Sequence, residues 1–174
     1  RLVSDNIRRL LDIGCEKVLI ACCTASTVFD GLPEEYRRIS VPIIKPTAAF
    51  AAEYSQRGVC VFATEATVRS EAFVRELCEI NGELSVCQVS AQNLVRLIEY
   101  SADKTSVFEE IKTLISGIKA DFDTAVLGCT HFSLAKEIFR ELLPGVRIVD
   151  SASVGAYCII KKDADVGNGI CKYT

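Results

Sequence analysis

Val126-Leu127-Gly128-Cys129-Thr130-His131-Phe132 decides how this chain is read, and Leu19-Ile20-Ala21-Cys22-Cys23-Thr24-Ala25-Ser26 is its near twin upstream. Each is a short apolar run that reaches a small residue and then Cys, with Thr close behind. A strand that stops at a Cys and turns into a helix sets a thiol where free N–H groups and partial positive charge collect. Such surroundings favour thiolate over thiol. Two thiols so placed, Cys22 and Cys129, suggest a pair of bases or nucleophiles. The bland reading of either one alone is a core cysteine that happens to end a strand, and the matched context argues against it. His131, the only histidine, suits a proton shuttle or a group that keeps Cys129 ionised. A helix-start histidine bonded to backbone is the competing reading.

Working outward, strands alternate with helices. Leu2, Val3, Ile7, Leu10 and Leu11 recur at helical spacing, and Gly14 is placed to end that helix. Strands are expected at 17–21, 41–44 (with Pro42 marking an edge or a strand start), 59–63, 84–89, 124–127 and 147–149. Helices are expected from the Cys22–Thr24 turn through Tyr36, then over 48–54 with Gly58 as the stop, from 64–67 to about Ile80, and over 93–100, 106–120 and 134–143. A last helix and a Gly-rich tail close the chain. This alternation predicts an α/β fold with parallel sheets and crossover helices, whose ligands bind at the carboxyl ends of the strands. Cys22-Cys23-Thr24, Thr64 to Thr67, Cys129-Thr130-His131 and Asp150-Ser151 all fall there. Thr24, Thr64, Thr67 and Thr130 suit carboxylate or ammonium groups through hydroxyls and nearby N–H groups, or plain N-capping, with Thr24 or Ser26 the candidate cap of the first Cys turn. Glu99, at the end of a short helix, reads on pattern alone as a solvated charge.

Composition bounds the function. The 174 residues are 49% hydrophobic, enough for a real core, with a net charge of −3 and scattered Lys and Arg, which is no nucleic-acid footprint. No apolar run has the length of a membrane span and no signal peptide is evident. Nine Cys at this length and spacing argue against a secreted disulfide framework and for a reducing, cytoplasmic compartment. The absence of Met and a start at Arg1 inside a helical pattern are what a piece of a longer protein would show. There is no dinucleotide fingerprint and no Walker loop. A zinc site at Cys22, Cys23, Cys129 and His131 is conceivable by ligand count, but the spacing matches no closed structural zinc pattern, so no metal is expected.

The stretches around Cys22 and Cys129, with Ala63-Thr64-Glu65-Ala66-Thr67-Val68-Arg69-Ser70, Leu94-Val95-Arg96-Leu97-Ile98-Glu99 and Val149-Asp150-Ser151-Ala152, resemble the glutamate racemases of the cofactor-independent aspartate/glutamate racemase superfamily. The resemblance runs over essentially the whole chain. His131 matches the glutamate branch, since the aspartate branch usually has Glu there. It implies two similar lobes with the active site in the cleft between them, the first made of 1–46 and 151–174 and the second of 47–150. It implies interconversion of L- and D-glutamate for peptidoglycan, without a cofactor, by Cys22 and Cys129 acting on opposite faces of the α-carbon. His131 and Glu99 would assist at Cys129, while Cys23, Thr24, Thr64, Thr67, Thr130 and His131 would hold substrate. The partner is a small molecule, with no nucleic acid or membrane, and a homodimer is compatible with the family. Three departures stand out. Cys23 replaces the family's Asn, Ser133 replaces a usual Pro, and the family's opening Asp-Ser-Gly strand and Pro-Tyr-Gly segment are not in this chain. Two alternatives remain: a related racemase or isomerase acting on aspartate, hydantoins or maleate-like acids, and a non-catalytic binding or redox-active Cys protein of the same fold.

Overall fold

The structure is a computed structural model that describes residues 1–100 and 103–164, with side chains as far as 158. The Gly-rich tail expected at the C-terminus lies outside the described residues. Helix α1 (Leu2–Asp12) leads through Gly14, at φ 91°, into β1 (Val18–Ile20). One helical turn, α2 (Cys23–Ser26), a 3-10 turn at Phe29–Gly31 and α3 (Glu34–Ile39) connect it to β2 (Ser40–Pro42). These two strands pair in parallel as a small sheet. Helix α4 (Ile44–Tyr54) then crosses to β3 (Gly58–Ala63), and α5 (Glu65–Ser70) and α6 (Ala72–Ile80) cross to β4 (Ser85–Ser90). Next come α7 (Gln92–Tyr100), α8 (Lys104–Ser116) and β5 (Thr124–Gly128). A 3-10 segment, Thr130–Ala135, and α9 (Lys136–Leu142) lead to β6 (Arg147–Asp150) and α10 (Ser151–Ala164). The larger sheet is parallel throughout, in the order β4-β3-β5-β6.

The central strands β3 and β5 are buried along their whole length, as their unbroken apolar runs require when helices cover both faces. Alternate residues point to opposite sides. Val59, Val61, Ala63 and Val126 pack with Ala48, Ala51, Phe73 and Leu77 of α4 and α6 on one face. Cys60, Phe62, Ala125 and Leu127 meet Leu94, Ile111 and Phe139 on the other, where the Phe62 and Phe139 rings stand edge to face at 5.0 Å. Ile7, Val18, Ile20 and Leu32 form a separate core beneath the small sheet. Cys23 and Ile43 belong to the core of the larger sheet, so apolar packing ties the small sheet to the large one.

The α/β architecture follows the sequence expectation, and the element boundaries differ for local reasons. The helix expected from 24 to 36 is three short pieces, because Pro33 starts a new helix rather than continuing one. Pro42 ends the edge strand β2, and Ile43 and Ile44 open α4. Pro46 falls inside the first turn of α4, where backbone N–H groups have no intrahelical partner to lose. That helix runs straight through the 46/47 lobe boundary implied by the family resemblance. Gly58 does not stop α4; it opens β3, where a Cβ would stand 2.8 Å from the Asp121 carbonyl and 2.9 Å from that of Ser85. The helix expected from 64 to 80 breaks at Glu71, which takes φ 53°. The segment after Cys129 is 3-10 as far as Ala135 before α9 begins.

Candidate active site

The sheet order places a topological switch between β3 and β5, the point where an open parallel sheet leaves a crevice at its carboxyl edge. Ala63 and Gly128, the last residues of these strands, are register partners. Thr64 and Cys129 therefore leave the sheet side by side. Gly128 is required there, since a Cβ would lie 2.9 Å from Phe73 Cε2 and 3.1 Å from the Phe62 carbonyl oxygen. Beyond β4, Ala91 N donates to the Ala63 carbonyl at 2.8 Å, which sets α7 and its Glu99 beside the same edge.

The residues singled out in the sequence sort into two groups. In the first, Thr24 Oγ1 lies 2.8 Å from Thr64 Oγ1 and 3.0 Å from Thr67 Oγ1, and the latter two are 3.0 Å apart. This triangle joins the turn after β1 to the turn after β3. Thr64 also caps α5 by accepting from Thr67 N. Thr24 and Thr64 are half-buried, whereas Thr67 is 0% exposed. Thr67 therefore acts from behind, holding the other two hydroxyls, and offers no surface of its own to a ligand. Neither Thr24 nor Ser26 caps α2, whose N-cap position is Cys22 itself. Ser26 Oγ instead donates to the Ile20 carbonyl at 2.9 Å and accepts from Ile43 N at 3.1 Å, fastening the turn to the small sheet.

In the second group, Cys129 Sγ stands 3.6 Å from His131 Nδ1, and His131 Nε2 stands 2.7 Å from Glu99 Oε1. Glu99, a solvated charge by pattern, becomes the end of a thiol–imidazole–carboxylate chain because α7 packs against the Thr130–Ala135 segment. Thr130 is half-buried at the start of that segment. The helix charge expected to ionise Cys129 is not the ruling influence. Burial pushes this thiol up, outweighing the His131 and Phe132 N–H groups that pull it down, and the charges of Cys22 and Glu99 add to the rise.

Cys22 is exposed and within electrostatic reach of Cys129. Cys23 is different: it is 1% exposed, and burial first, with the neighbouring Cys129 and Cys22 charges, pushes it up to about 12 against a lowering contact from Ser151. It stays a neutral thiol turned into the core, so the Cys23 side chain is packing rather than ligand surface. Among the described residues, no group of three or more His, Cys, Asp and Glu side chains has the arrangement to hold a metal ion. No helix among them is long and apolar enough to cross a membrane. The sequence reading passed over Ser133 and Lys136, which converge on Asp150 from the residues just after His131. The one hint available was Ser133 itself, in the place of the resembled family's Pro.

A parallel α/β sheet with a thiol, an imidazole and clustered hydroxyls at its switch point defines a class of small-molecule site. The Asp/Glu/Hydantoin racemase family model matches residues 2–158, and the chain belongs to that family. It is 29% identical over 164 residues to the glutamate racemase of Persephonella marina, covering 90% of this chain and 62% of that protein. It therefore spans less than two thirds of that relative's length. The crystal structure of glutamate racemase isoform RacE1 from Bacillus anthracis superposes with a TM-score of 0.83 at 23% identity, over 95% of this chain and 66% of that one. Glutamate racemase from Francisella tularensis, solved in complex with D-glutamate, gives 0.81 at 20% identity, over 98% and 67%. At these identities the two structures speak for a common fold.

Proposed function

We propose that this chain carries the machinery for cofactor-independent racemisation of glutamate by proton transfer between Cys22 and Cys129, in the cleft between a lobe of 1–46 with 151–174 and a lobe of 47–150. The observation that carries the reading is the Cys129–His131–Glu99 chain, next to the Thr24–Thr64–Thr67 triangle and within electrostatic reach of Cys22. The Thr24 and Thr64 hydroxyls turn their protons from each other to a substrate carboxylate, with Thr130 and the turn N–H groups as further donors. Cys129 gives its proton to His131 Nδ1, and Glu99 stabilises the imidazolium that forms. The thiolate then takes the α-proton from one face while the Cys22 thiol supplies a proton to the other. The carbon is inverted with Cys129 as thiol, Cys22 as thiolate and His131 as imidazolium, and return of the His131 proton to Cys22 through solvent restores the starting state with no net proton consumed. Burial of Cys129 serves this chemistry, because a thiolate formed in a dry site is a stronger base toward a weakly acidic C–H bond.

The D-glutamate so formed would supply cytoplasmic peptidoglycan synthesis, and a homodimer is the assembly the family resemblance suggests. Incubation with L-glutamate, followed by optical rotation, tests the reaction, and decay to zero rotation is expected. Unchanged glutamate alongside inversion of aspartate or a hydantoin would move the substrate elsewhere in the family. No inversion of any of them would overturn the catalytic reading.

A further inference from the structure

Asp150 ends β6, where it is the register partner of Leu127 on β5, and it is only 5% exposed. Four donors reach its carboxylate. Ser133 Oγ at 2.5 Å and Ala152 N at 3.0 Å meet Oδ1, while Ser153 Oγ at 2.7 Å and Lys136 Nζ at 3.4 Å meet Oδ2. Burial works against its charge, but the bonds from Ser133, Ser153 and Ala152 and the charge of Lys136 outweigh it and hold the carboxyl below its usual range. Asp150 thus stays an anion that binds together the end of β6, the first turn of α10, the first residue of α9 and the Thr130–Ala135 segment.

That segment carries the imidazole. It is 3-10, with Phe132 N donating to the Cys129 carbonyl at 3.1 Å at its start. Short 3-10 stretches have poor hydrogen-bond geometry and do not hold themselves in shape. Proton transfer over the 3.6 Å between Cys129 and His131 tolerates little displacement.

We propose that Asp150, acting through Ser133, is a positioning residue for the Cys129–His131 half of the site, fixing the 3-10 segment so that the imidazole stays between the thiol and Glu99. The proposal rests on the reading of Cys129 as a proton-transfer group. It also gives the serine at position 133 a task that a proline, with no hydroxyl, cannot perform.

The test uses Ser133→Ala, Ser133→Thr and Asp150→Asn in the whole chain. Deuterium exchange at the α-carbon is followed from each glutamate enantiomer, and the ring-proton NMR signals of the sole histidine are recorded. Ser133→Ala should slow exchange about tenfold from the enantiomer that Cys129 deprotonates and no more than about twofold from the other. It should also displace the histidine signals, and Ser133→Thr should restore both. Asp150→Asn should act in the same direction. If that variant does not fold, Ser133→Ala, which removes one half-buried hydroxyl, still decides. Equal slowing from both enantiomers, or unmoved histidine signals in Ser133→Ala, would overturn the proposal. If the wild-type chain exchanges neither enantiomer, the racemase reading falls, and the histidine signals alone judge the clamp: displaced and then restored by Thr supports it, unmoved refutes it.

Discussion

Replacing Glu99 with Gln keeps the shape of the side chain and removes its charge. The His131 Nε2–Glu99 Oε1 distance of 2.7 Å is that of a charge-assisted hydrogen bond. Such bonds contribute about 1.5–3 kcal/mol. Both side chains keep a little over a third of their surface, 36% and 38%, so solvent screening favours the lower half of that range. The pair matters most when His131 has taken the Cys129 proton, because only then are both partners charged. The loss therefore falls on the transition state rather than on substrate binding. Between 1.5 and 2 kcal/mol corresponds to a fall in kcat of about ten- to thirtyfold, with KM nearly unchanged. Initial rates of α-deuteration for each enantiomer, read by proton NMR in heavy water, measure it. The larger loss should fall on the enantiomer that Cys129 deprotonates. Rates within about twofold of wild type from both enantiomers would show that no charge develops on His131, and the relay would be wrong.

Asp123 accepts from Ser55 Oγ at 2.8 Å and from Gln56 N and Arg57 N at 2.9 and 3.0 Å. Burial opposes its charge, but these bonds and that of Thr124 draw it from 3.8 down to about 2. Because the folded value lies below the unfolded one, the stabilisation is present above 3.8 and is lost as pH falls through about 2. Asp123→Asn should lower stability at neutral pH by about 1–2 kcal/mol once screening is allowed for. Its urea midpoint should converge on the wild type's in acid, and a gap that persists there would refute the assignment. Gly128→Ala pushes a methyl against Phe73 and the Phe62 carbonyl and should cost about 1–3 kcal/mol, seen as a lower Tm; an unchanged Tm would contradict the packing described. Thr67→Val keeps the volume but leaves Thr24 and Thr64 without their buried partner. KM for glutamate should rise several-fold with a smaller change in kcat, and an unchanged KM would remove the hydroxyl triangle from substrate binding.

Much of the fold was legible because the strands are continuous apolar runs and the turns between them are marked by small and polar residues. Val59 to Ala63 and Thr124 to Leu127 read as buried strands because they lie at the centre of the sheet, covered on both faces. Local geometry escaped that reading. Nothing in the apolar spacing of 64–80 signals the φ of 53° at Glu71, and Pro46 looks like a breaker until it is seen in a first turn. At the site, the thiols and threonines announced themselves by position at strand ends. Asp150 is also marked by its strand end, but its contacts with Ser133 and Lys136, like the place of Glu99 beside His131, depend on packing between elements, which periodicity does not encode. The ionisation of Cys129 does not follow from its place after a strand end alone, because burial is the larger influence on the thiol.

The most direct test of the central claim is α-proton exchange in heavy water with Cys22→Ser and Cys129→Ser, each offered L- and D-glutamate separately. Two thiols working on opposite faces predict mirrored losses, with each variant failing to exchange one enantiomer and still exchanging the other. Loss of both enantiomers' exchange in only one variant, with the other variant unaffected, would mean that a single thiol does the chemistry, and the two-base account would be contradicted.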